Sequence, residues 1–98
     1  MPNALEKRAY RHIDIHVVRE VAEYLMITNL ETTTLEVKDA LRFAGYIAYQ
    51  ADVSHIMDVI AKRSPGWNYT CSGVFRQYFF KQYFDFQLTP DVPKYSLN

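Results

Sequence analysis

The reading of one stretch, EVKDALRFAGYIAYQADVSHIMDVIAKR from Glu36 to Arg63, decides the fold. Val37, Ala40, Leu41 and Ala44 fall at i, i+3, i+4 and i+7, the spacing of a single apolar stripe on a helix. The same spacing returns in Val53, Ile56, Met57 and Ile60. Between the two segments lie Gly45, placed where a left-handed residue ends a helix, and the short connection YIAYQ. Thr33 and Glu36 stand three residues apart at the upstream end. They form a capping box, in which each side chain satisfies a backbone N–H that the helix itself leaves unpaired. Ser64-Pro65-Gly66 stops the second segment. Two short helices are expected, packed at an angle against something larger.

The larger element is expected upstream. From about Leu5 to Ile27 the apolar residues Ile13, Val17, Val21 and Leu25 follow one flank of a long first helix, with Tyr10 and Tyr24 nearby. Its weak point is HIDIHVV, where apolar and polar residues alternate and a short strand competes. A polar connection then runs from Thr28 to Thr34. Downstream the character changes. WNYTCSGVFRQYFF is aromatic and β-branched and is broken by Ser72-Gly73, which predicts a two-stranded hairpin lying over the open side of the helices. TPDVPKYSLN, with Pro90 and Pro93, reads as an extended tail. The expectation is an α+β fold, one domain over residues 1–88 with a tail over 89–98.

Composition bounds the function. A chain of 98 residues, 49% hydrophobic and 22% charged, can bury about two-thirds of its unfolded surface in one core without metal or disulfide. Eleven Lys+Arg against eleven Asp+Glu produce no global field for a polyanion, so any nucleic-acid site must be a local patch. Cys71 is the lone cysteine, which fits a reducing compartment. MPNALEKRAY lacks the apolar run of a signal peptide and no segment has the length of a membrane span, so the chain reads as cytoplasmic. It carries no Gly-rich phosphate loop, nucleophile elbow or paired carboxylates for acid–base work. It therefore reads as a protein without enzymatic activity, cofactor or small-molecule substrate.

Three helices followed by a hairpin is the order of a winged helix. TTLEVKDALRFAGYIAYQADVSHIMDVI, followed by GWNYTCSGVFRQYFF, resembles small winged helix-turn-helix proteins, including many encoded by tailed phages. The resemblance covers residues 33–80 and is one of pattern, with no strict motif. It implies that the third helix faces the major groove of DNA and that the hairpin is the wing. GYIAYQAD is longer than the connection of the tight form of the motif, and Asp52 and Asp58 place carboxylates on the would-be recognition helix, where they repel phosphate.

On that reading the residues outside the third helix's buried stripe are the candidates for base and phosphate contacts. Gln50, Ser54 and His55 can meet base edges; Lys62, and Arg63 near the helix end, can reach phosphate or guanine. Arg76 and Lys81, in or after the second hairpin strand, can join them in a modest cationic patch. The competing reading for all seven is a solvated surface. Arg8, Arg11, His12 and Arg19 are expected on one basic side of the first helix. His12 and His16, one helical turn apart there, have a chelating spacing but no third ligand, so no metal site is assigned.

The aromatic run FRQYFFKQYFDF carries apolar side chains on both strand faces, and a small domain has one core to cover one of them. Tyr78, Phe79, Phe80, Tyr83 and Phe84 are thus candidates for a homodimer or partner interface. Two functions are weighed: a DNA-binding regulator, and a module that binds and modulates another protein through this ribbon.

Overall fold

The computed structural model describes residues 11–82. In chain order the elements are β1 (Arg11–His12), α1 (Ile15–Asn29), β2 (Thr32–Thr33), α2 (Thr34–Phe43), β3 (Tyr46–Ile47), α3 (Gln50–Arg63), β4 (Trp67–Ser72) and β5 (Phe75–Phe80). Three helices pack together against a three-stranded antiparallel sheet of order β2-β5-β4, while β1 and β3 form a separate parallel pair. The expected α+β class, three helices and C-terminal hairpin are all present. Among the described residues no helix is long and apolar enough to cross a membrane.

α1 differs from its expectation at both ends. It begins at Ile15 because Asp14 is its N-cap, with the carboxylate accepting the Val17 N–H at 2.8 Å. Arg11 and His12 instead extend as β1 beside Tyr46 and Ile47, so the strand tendency of HIDIHVV is realised in these two residues. The part of the expected helix before residue 11 lies outside the described residues. At the far end Thr28 does not open a connection. Its hydroxyl donates to the Tyr24 carbonyl at 2.9 Å and the helix runs on to Asn29, closing with Leu30 in the left-handed region at φ 73°.

The buried row of α1 is Val18, Ala22 and Met26, with Val17, Val21 and Leu25 half-buried along its flank and Ile13, just before the cap, half-buried as well. The core joins that row to Val37 and Leu41 of α2, Ala48 of the connection after β3, Val53, Met57 and Ile60 of α3, and Trp67 and Tyr78 of the hairpin. Each large side chain fully buried here contributes about 1.5–3 kcal/mol relative to exposure. Ile56, expected in the buried stripe of α3, is only half-buried and lies at the edge of this core.

α2 begins as expected. Thr33 Oγ1 accepts the Glu36 N–H and Glu36 Oε1 accepts the Thr33 N–H, both at 3.2 Å. The same Glu36 oxygen also accepts the hydroxyl of buried Thr32 at 3.0 Å. The helix ends at Phe43, and Gly45 turns the chain at φ 96°. The turn of the hairpin is Gly73-Val74, one residue later than expected. Ser72 pairs with Phe75, and Gly73 has φ 64°, the first central position where a two-residue hairpin turn takes glycine.

Candidate functional site: the groove between α3 and the hairpin

The outward face of α3, the start of α2 and the turn end of the hairpin enclose one open groove of about 660 Å³. Its floor is set by the phase of α3. Val53, Met57 and Ile60 turn inward, so Gln50, Ser54, His55, Asp58 and Lys62 are left to line it. Thr33, Thr34 and Leu35 close one end, and Tyr69, Val74, Phe75 and Arg76 form the opposite wall. Of the seven candidates for base and phosphate contacts, five meet here: Gln50, Ser54, His55, Lys62 and Arg76. Arg63 and Lys81 are exposed but do not line the groove; the Lys81 backbone N–H donates to the Gly66 carbonyl at 2.7 Å.

Asp58 organises the groove's electrostatics. Its Oδ1 lies 2.8 Å from Arg76 Nη1 and its Oδ2 lies 2.9 Å from Lys62 Nζ, one turn further along the helix. The Arg76 hydrogen bond first, and then that of Lys62, hold the carboxyl below the usual carboxylate range. Arg76 is fixed on three sides, since the same Nη1 lies 3.4 Å from the Tyr78 hydroxyl and the guanidinium stands over the Tyr69 ring, 4.3 Å from its centroid. Its own pKa is driven up by the Asp58 and Tyr78 hydrogen bonds. The expected patch of independent cations is therefore a triad in which one carboxylate bridges α3 and β5, leaving one positive charge in excess. The carboxylate on the groove face of α3 is thus satisfied within the protein.

The basic side expected on the first helix does not form as such. Arg11 and His12 belong to β1, with Arg11 placed over the Tyr46 ring, and half-buried Arg19 donates to Ser64 Oγ at 3.0 Å, tying α1 to the end of α3. Arg8 lies outside the described residues. His12 and His16 are not one helical turn apart, because the strand ends and Asp14 caps the helix between them. Among the described residues no group of three metal-ligating side chains occurs.

The aromatic ribbon also divides differently from its expectation. Tyr78 and Phe79 are buried, at 1% and 8% exposure, and Phe80 is half-buried against the core. Tyr78 packs edge-on to Trp67 with ring centroids 5.8 Å apart, so it is a core residue and is not available to a partner. Phe79 is withdrawn from solvent likewise. Tyr83 and Phe84 lie outside the described residues. Among the described residues the exposed apolar surface of the hairpin sits at its turn end, where Val74 is 92% and Phe75 52% exposed, with exposed Tyr69 on the facing strand. Sequence reasoning missed both residues as site candidates, although their position flanking the glycine turn was a usable signal.

No protein-family model, curated protein or solved structure matches this chain.

Proposed function

We propose that this chain is a winged helix-turn-helix protein that binds duplex DNA in a regulatory role, as a cytoplasmic protein without enzymatic activity. The observation that carries the reading is the shared groove. The side chains that α3 leaves outside the core face the same space as the hairpin tip and the start of α2. A helix inserted into a major groove must present such a row, and Gln50, Ser54 and His55 have the hydrogen-bonding groups to meet base edges. The hairpin stands beside that row, where a wing would meet the adjacent backbone. Lys62 and Arg76 supply the positive charge, in an amount suited to a weak electrostatic component.

Fluorescence anisotropy with a labelled duplex of about 20 base pairs tests this reading. Binding at low salt is expected, weakening as salt rises. Gln50→Ala is expected to relax discrimination at one base position by about 1–3 kcal/mol. Absence of binding at low salt would reject the reading.

One observation favours a second reading, a protein-binding module. Leu35, Tyr69, Val74 and Phe75 put apolar surface along the same groove, and Asp58 neutralises half of the local positive charge within the protein. Replacing Val74 and Phe75 together by Ser should abolish partner or self-association on this reading and leave the fold intact.

A further inference from the structure

We propose that Asp58 is the residue that sets the groove's selectivity for phosphate: its carboxylate occupies the place of a backbone phosphate between Lys62 and Arg76, and binding a duplex transfers Lys62 from Asp58 to the nucleic acid while Arg76 stays. The inference rests on the DNA-binding reading and divides the two cations by role. Lys62 is the movable one. Its side chain is 75% exposed, it pairs with Asp58 at 2.9 Å, and a four-carbon stem lets the ammonium swing out. Arg76 is the fixed one. Its side chain is 39% exposed and is held by Asp58, the Tyr78 hydroxyl and the Tyr69 ring. Removing it from Asp58 would break three contacts at once, and it therefore acts as a positioning residue that sets the hairpin against α3.

Physical chemistry makes the exchange possible in this direction. An exposed i,i+4 ion pair contributes little, because water screens it and two flexible side chains must be held still. A duplex phosphate offers Lys62 an equivalent partner within a strong polyanionic field, and the released counterions favour the transfer. Asp58 then remains paired with Arg76, so no carboxylate faces the backbone uncompensated. An isolated small anion has no such field and would have to displace Asp58 on equal terms. The groove thus favours polyanions over single phosphates.

The test is anisotropy with a fluorescein-labelled 20-base-pair duplex at about 50 mM salt, on the wild type, Asp58→Asn, Lys62→Ala and the double variant. Asp58→Asn is expected to bind about two- to fivefold tighter, the scale of an exposed ion pair, and the gain is expected to vanish in the Lys62→Ala background. A gain that persists without Lys62, or no gain at all while the wild type binds, would overturn the role of Asp58 and leave the DNA-binding reading standing. Absence of binding by both the wild type and Asp58→Asn would overturn both. A second measurement does not depend on how Asp58→Asn folds: Lys62→Ala should lower the logarithmic salt slope by about 0.9, the value of one phosphate contact. An unchanged slope would show that Lys62 stays on Asp58 in the complex and would overturn the exchange.

Discussion

The Trp67 indole N–H donates to the Glu23 carboxylate 2.8 Å away, joining the first strand of the hairpin to the middle of α1. This is the polar complement of the apolar contact that Trp67 makes with the Tyr78 ring. It explains why a residue so large and with a polar edge can sit at 6% exposure. Trp67→Phe keeps most of the apolar contact but removes a hydrogen bond to a charged acceptor, so it is expected to cost about 1.5–3 kcal/mol. Trp67→Ala should cost about 3–5 kcal/mol. Urea denaturation followed by circular dichroism measures both, and a Trp67→Phe variant as stable as the wild type would show that the hydrogen bond contributes nothing separable.

Glu36 serves two donors with one oxygen, the Thr33 N–H at the helix start and the hydroxyl of buried Thr32. Thr33→Ala removes half of the capping box and is expected to cost about 1 kcal/mol. Glu36→Ala should cost more, because it also strips the better of the two contacts from the Thr32 hydroxyl, whose other, to the Thr33 carbonyl, is 3.5 Å long. Denaturation midpoints in the reverse order would contradict this account of α2's start.

Two glycines are expected to respond oppositely to the same change. Gly73 sits at φ 64°, so Gly73→Ala forces a side chain into the left-handed region at a cost of about 1–2 kcal/mol. Gly66 has no positive φ and nothing within 4 Å of an added Cβ, so Gly66→Ala should stabilise by about 0.4–1 kcal/mol through the unfolded chain. Thermal melts of the two variants read the contrast directly.

Asp58 titrates below the usual carboxylate range because of Arg76 and Lys62. A depressed folded pKa contributes stability that is present above the unfolded pKa and lost as pH falls through the folded one. The wild type is therefore expected to keep this contribution from neutral pH down to about pH 4 and to lose it below. Asp58→Asn should lack the difference, so the melting curves of the two proteins should converge in acid. A gap between them that widens below pH 4 would assign the triad the wrong sign.

These interactions divide by range, and so does what could be read from the chain. The capping box of Thr33 and Glu36, the stripe of Val53, Met57 and Ile60, and the stop at Ser64-Pro65-Gly66 are written within a few residues of one another, and each was legible. The phase of α1 was less so. Two parallel rows, Val17-Val21-Leu25 and Val18-Ala22-Met26, differ by one residue, and only the packing of α2 and α3 decides that the second is central. β1 and β2 are two residues each, too short to show a period, and they exist because Tyr46-Ile47 and Gln77-Tyr78 are there to pair with them. Four of the five candidate contact residues that line the groove, Gln50, Ser54, His55 and Lys62, could be gathered on one face because that face of α3 follows from its own stripe. The engagement of Lys62 and Arg76 by Asp58 could not be foreseen in full, since Arg76 reaches Asp58 only once the hairpin has folded back.

Thr33 belongs at once to the sheet, opposite Gln77, and to the cap of α2. A residue shared in this way couples the sheet to the helix through the backbone itself. Detaching β2 from β5 pulls on the dihedral angles that open the helix, and fraying the first turn of α2 loosens the edge of the sheet. The amides of that first turn and of β5 should then exchange with solvent deuterium as one cooperative unit, at a common opening rate.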